Sequence, residues 1–173
     1  MLLGAVTMMA VLAAAPAQPA KKKPVFERLE ANADLQRALK PNRKPLLVHL
    51  WAQWCVPCVK ELPEQVALAQ RAAVHGADVL FLDADGFENE ERATEALTRA
   101  KGLKVARQAQ VNTKLEAEEW GVFLDPSWKA DLPSTFLYAA DGTLLKAIHG
   151  TMVLEEEKLL LGLIDAQRKA KAK

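Results

Sequence analysis

The chain has 173 residues, half of them apolar, and a formal net charge of +1. That fits one core-forming domain with short tails, and it excludes a strong electrostatic pull toward nucleic acid. Only two cysteines are present, so each has no partner but the other.

Leu2 to Ala15 is almost wholly apolar. It is short for a bilayer span, which needs about 20 residues. Ala15-Pro16-Ala17 follows as a small-x-small cleavage signal. Residues 1–17 are therefore expected to be a signal peptide, or an uncleaved anchor, that takes the chain out of the cytoplasm. The charge order is unusual, with no Lys or Arg before the apolar run and Lys21-Lys22-Lys23 after it. Residues 18–24 read as a linker. The remainder, 25–173, reads as one domain with a variable helical segment at about 84–128.

Within that domain, Phe26, Leu29, Ala33, Leu35 and Leu39 carry a helical spacing that Pro41 and Pro45 end. Leu46 to Trp51 is an apolar run suited to a strand buried on both faces. Cys55 to Ala73 reads as a helix with Leu62, Val66 and Ala69 on one face, and Val79 to Leu82 as a second buried strand. Glu88 to Ala100 is an amphipathic helix, Leu103 to Gln110 suits a short strand or a loop, and Asn112 to Glu119 suits a short helix capped by Asn112. Thr135–Tyr138 and Leu144–His149 are strands joined by the turn signal Asp141-Gly142. Leu154 to Lys169 closes the chain as a helix with three glutamates in its first turn. Strand–helix–strand units followed by a hairpin imply an α/β fold: a mixed sheet with helices on both faces.

The chemistry concentrates in Trp51-Ala52-Gln53-Trp54-Cys55-Val56-Pro57-Cys58. Thiols at i and i+3 in a first helical turn lie side by side and can close a small disulfide. The first also meets free N–H groups and the positive end of the helix dipole, which favour the reactive thiolate. Pro57 is tolerated there because its missing N–H costs nothing. Cys55 fits the attacking role and Cys58 the resolving one. A zinc site would need further ligands, and His49, His75 and His149 are scattered. Val59 stands where haem attachment needs a histidine. A purely structural disulfide would close too small a loop to add much stability. Asp83-Ala84-Asp85-Gly86 begins like a calcium loop, but Phe87 and the misplaced glycine break the pattern.

These residues resemble the thioredoxin superfamily, and within it the TlpA/ResA-type extracytoplasmic thiol–disulfide oxidoreductases. Trp54-Cys55-Val56-Pro57-Cys58 matches the W-C-x-P-C motif, Pro63 the proline that kinks the active-site helix, and Leu132-Pro133-Ser134-Thr135-Phe136 the loop with the family's cis-proline. Asp125-Pro126-Ser127-Trp128, Asp141-Gly142-Thr143 and Gly150 also fit. The resemblance implies a thioredoxin-like fold and a redox-active disulfide, Cys55–Cys58, with no other cofactor and no metal. It implies that Pro133 is cis and packs against the pair. It also implies that Leu132 and Pro133, with Trp54, Val56 and Pro57, form the face that receives an extended peptide. Family thioredoxins of the cytoplasm have a buried Asp where this chain has His49. TlpA/ResA-like proteins have a Glu at the position of Glu61. Either residue could carry the proton of Cys58, His49 as a neutral imidazole and Glu61 as a carboxylate.

The implied function is dithiol–disulfide exchange with protein substrates, as a reductant outside the cytoplasm. The chain would be a monomer recycled by a membrane redox partner, with cytochrome c maturation as one setting. The alternatives are an oxidase or isomerase on the same fold, a copper-handling protein using His49 or His149 beside the sulfurs, and an inert disulfide domain.

Overall fold

The computed structural model describes residues 25–171. The expected signal peptide or anchor and the linker lie outside them. Chain order runs β1 (Glu27–Leu29), α1 (Asn32–Ala38), β2 (Leu46–Trp51), α2 (Val56–Val74), β3 (Asp78–Asp83), α3 (Glu90–Arg99), β4 (Arg107–Val111), α4 (Ala117–Gly121), β5 (Ser134–Tyr138), β6 (Leu144–His149) and α5 (Leu154–Lys171). The six strands form one mixed sheet, ordered β1-β4-β3-β2-β5-β6. β1, β4, β3 and β2 pair in parallel, while β5 is antiparallel to both β2 and β6.

Helices cover both faces. Side chains of α2, α3 and α5 pack with Leu47, Trp51, Val79 and Phe81 on one side. Those of α1 and α4 pack with Val48, Leu50, Leu80, Leu82 and Phe136 on the other. The alternation along β2 and β3 sends successive apolar residues to opposite cores, which is why both read as continuous apolar runs.

Three expectations are corrected. The helix expected from Phe26 to Leu39 begins only at Asn32, and Glu27–Leu29 is an edge strand beside β4. Phe26 and Leu29 would share one face of a helix. In the extended chain they point oppositely, Phe26 into the α2 side and Leu29 into the α1 side, and both are buried. The segment 84–128 is not only helical, since it contains β4, a strand between β1 and β3. Leu103 to Gln110 suited a strand or a loop equally, because Arg107, Gln108 and Gln110 do not register as core although both glutamines are buried. The short helix expected at Asn112–Glu119 starts at Ala117, and Asn112 instead accepts a hydrogen bond from the Lys114 amide (3.0 Å) in a local turn.

Candidate active site

The topology brings two distant segments to one place. β2 ends at Trp51 and delivers the chain into the turn ahead of α2. β5 runs the opposite way, and its first residue, Ser134, pairs with Leu50. The residue before it, Pro133, is therefore held beside the end of β2, at the carboxyl edge where ligands meet open α/β sheets.

Cys55 is the N-cap of α2. Its Sγ accepts from the Cys58 amide at 3.3 Å, and it is bonded to the Cys58 sulfur. The Cys55 sulfur thus occupies the place where an N-cap oxygen would stabilise the free amides of the first turn, and a thiolate there would gain from the helix dipole. Pro57 lies in that first turn. Cys55 is 6% exposed and Cys58 is fully buried, so Cys55 is the outer of the two sulfurs. Pro63 lies inside α2, where it removes the N–H that would bond the carbonyl of Val59.

The Leu132–Pro133 bond is cis. The carbonyl of Pro133 accepts from the Gly150 amide (2.8 Å), which fixes this loop to the end of β6. Trp54 and Val56, 63% and 62% exposed, flank the disulfide as bare apolar surface, while Trp51 is core. Trp54 and Leu132 also line a pocket of about 280 Å³ with Ala84, Trp120 and Trp128.

Behind the dithiol lie His49 and Glu61. His49 sits on β2 facing α2, with Nδ1 3.1 Å from the Thr135 hydroxyl and its ring against Phe81. Glu61 follows Cys58 by one helical turn and accepts from the Met152 amide at 3.3 Å. His49 Nε2 and Glu61 Oε1 are both buried without a hydrogen-bond partner, and they face each other 3.9 Å apart. Burial pushes the His49 imidazole down to about 3 and the Glu61 carboxyl up to about 7. The imidazole is therefore neutral at neutral pH, whereas Glu61 is poised to give or take a proton there. A groove of about 590 Å³ lined by Val56, Pro57, Lys60, Thr151 and Met152 opens beside Glu61 and gives it a way to solvent. His149 lies elsewhere, 3.6 Å from Asp125 and beside Ser134. Among the described residues, no three metal-ligating side chains gather.

The pair leaves a signature in stability. The unfolded chain takes up the His49 proton that the native state refuses. That contribution is present above about 6.5 and is lost as pH falls toward 3. The raised Glu61 acts oppositely: its contribution is intact below 4.5 and is lost as pH rises through about 7. Between these values the two slopes oppose. Glu61→Gln removes one of them, so the variant should gain on the parent by up to about 1.4 kcal/mol per pH unit as pH rises across that window. Urea unfolding at a series of pH values measures this, and parallel curves for parent and variant contradict it.

The sequence indicated Cys55, Cys58, Pro133, Trp54, Val56, Pro57, His49, Glu61 and Leu132, and these lie around one end of β2. It did not indicate Met152 or Trp120, and it named Thr135 and Trp128 only within motifs, with no role at the site. Thr135 carried the one available signal, since strand pairing places it opposite His49.

Comparison with known proteins places this geometry in context. A profile of the AhpC/TSA family matches residues 19–147. The thiol-disulfide oxidoreductase ResA of Geobacillus thermodenitrificans is 28% identical over 116 residues, covering 66% of this chain and 60% of ResA. The chain spans about six-tenths of the length of the curated relatives it matches. A thiol:disulfide interchange protein of the thioredoxin family from Chlorobium tepidum superposes with a TM-score of 0.57 at 18% identity, over 75% of this chain and 83% of that one. StoA from Bacillus subtilis gives 0.51 at 21% identity, over 69% and 84%. At such identities the likeness is one of fold, and that fold is thioredoxin-like.

Proposed function

The chain belongs to the AhpC/TSA family, and on that premise we propose that it is a thiol–disulfide oxidoreductase that reduces disulfides in protein substrates outside the cytoplasm. The observation that carries this reading is the Cys55–Cys58 disulfide at the N-terminus of α2, with Cys55 as the cap and the outer of the two sulfurs. The name and activity of the ResA relatives support it.

The reduced protein attacks with the Cys55 thiolate. An S–S bond of the substrate breaks, a Cys55–substrate disulfide forms, and one substrate thiolate leaves. Cys58 then loses its proton and attacks the Cys55 sulfur. The Cys55–Cys58 bond forms, the mixed disulfide breaks, and the second substrate thiolate leaves. Two electrons pass from the dithiol to the substrate, which departs as a dithiol. Glu61 takes the Cys58 proton, because its carboxyl titrates at about 7 and His49 holds back protonation until about 3. The Leu132–Pro133 segment receives the target as an extended strand, with Trp54, Val56 and Pro57 beside it.

A membrane redox partner would recycle the disulfide, and the protein would work as a monomer. The apolar run Leu2–Ala15 with its Ala15-Pro16-Ala17 signal supports export. Among the described residues, no helix is long and apolar enough to cross a membrane.

Insulin reduction and titration of the pair against glutathione test the proposal. Reduction of insulin and a potential near that of thioredoxin, about −270 mV, support it. A potential near about −120 mV makes the protein an oxidant instead, and no exchange at all removes the reading.

A further inference from the structure

The turn that carries the dithiol is held from behind by two buried acids that the exchange chemistry does not use. Asp83 ends β3 and Asp85 follows it, and both are buried. Asp83 accepts from Gln110 Nε2 at 2.8 Å and from the Asp85 amide at 2.9 Å. Asp85 Oδ2 accepts from the backbone amide of Gln53 at 2.6 Å, and its carbonyl accepts from Asn89 Nδ2 at 2.9 Å. Its other oxygen, Oδ1, is buried and accepts nothing. A second tie runs alongside, from the Ala84 amide to the Trp51 carbonyl at 2.9 Å. Burial and the charge of Asp85 hold the Asp83 carboxyl well above its ordinary range.

Gly86 follows Asp85 directly. Its φ is +81°, and a Cβ there would overlap the Thr113 side chain, so the turn after Asp85 takes this course only with glycine at this position. The turn on the other side is short. The Cys55 amide donates to the Ala52 carbonyl at 3.2 Å, across the very residue whose amide Asp85 holds.

We infer that Asp85 is a positioning residue for the dithiol: its carboxylate fixes the Gln53 backbone and thereby sets Cys55 as the cap of α2. This rests on Cys55 being the reactive sulfur. It adds that the sulfur's reactivity depends on an acceptor provided by the turn that follows a neighbouring strand.

The test uses the full chain with Cys58→Ser as parent, so that Cys55 is a lone thiol, and reads its alkylation by iodoacetamide across pH. Asp85→Ala removes the acceptor. It should slow alkylation at neutral pH by about tenfold and move the profile upward, the worth of one hydrogen bond to a buried amide. Asp85→Asn keeps an oxygen in place and should recover most of that rate. Equal rates in all three proteins overturn the inference. So does an equal change in both variants, because the charge and not the acceptor would then be acting. If Asp85→Ala does not fold, Asp85→Ser takes its place, since its hydroxyl is one bond short of the amide. Hydrogen exchange at Gln53 in the unmodified protein gives an independent reading. Strong protection is expected, and exchange as fast as in an open loop overturns the inference. Failure of insulin reduction in the intact protein would count against the proposed function and leave these alkylation and exchange readings standing.

Discussion

Cys55→Ser is expected to lower disulfide exchange to the rate of buffer alone, and Cys58→Ser to stop it one step later with the target still attached. The difference follows from burial and capping. Cys55 is the outer sulfur at the helix N-terminus, and a serine hydroxyl there does not ionise at neutral pH. Cys58 is fully buried and meets a target only through Cys55. Without Cys58 the first exchange proceeds and the mixed disulfide has no internal thiol to resolve it. Neither change should unfold the protein, because a bond between residues three apart closes a very small loop and removes little entropy from the unfolded chain. Non-reducing gels and mass spectrometry of Cys58→Ser should therefore show stable adducts at Cys55. Adducts in neither variant, or turnover in Cys55→Ser, would contradict the assigned order of attack.

Glu61→Gln should slow turnover by about 10²-fold, the lower end of what a positioned general base supplies. Glu61 acts as a base only when deprotonated. With its carboxyl at about 7, the rate of the resolving step in the parent should rise as pH passes through that value. In the variant that rise disappears, and the dependence shifts to the intrinsic ionisation of the thiol, about 8.5. The glutamine keeps an oxygen for the Met152 amide, so the Thr151–Leu154 loop stays docked and the change reports on proton transfer. A pH–rate profile of substrate release under single-turnover conditions decides the matter. An inflection near neutral pH that survives in Glu61→Gln would assign it to another group.

Much of this architecture could be read from the letters, for an identifiable reason. β2 and β3 are buried on both faces, so their residues are apolar without interruption, and β6 follows a glycine turn; all three stood where the sequence placed them. β1 and β4 were harder. Phe26 and Leu29 satisfy a helical spacing and an extended one equally well, and only a partner strand decides between them. β4 is a central strand that carries Gln108 and Gln110, and Gln110 is there to satisfy Asp83, a requirement that exists only after folding. The site divided in the same way. Two cysteines in one helical turn are a local pattern and could be found by spacing. The contact of His49 with Thr135, and the amide of Met152 on Glu61, span long separations in sequence and depend on register. Asp83 and Asp85 were read only as a failed calcium loop, because their ties to Gln110 and Gln53 join different strands and turns.

The single reversed strand of the sheet has a consequence for when this chemistry becomes available. β5 begins where β2 ends, so the thiols and the proline beside them become neighbours only after the last strands have inserted. A partly assembled chain carries both sulfurs without the Leu132–Pro133 segment beside them. Completion of the sheet is therefore what first sets the two sulfurs and the cis proline side by side.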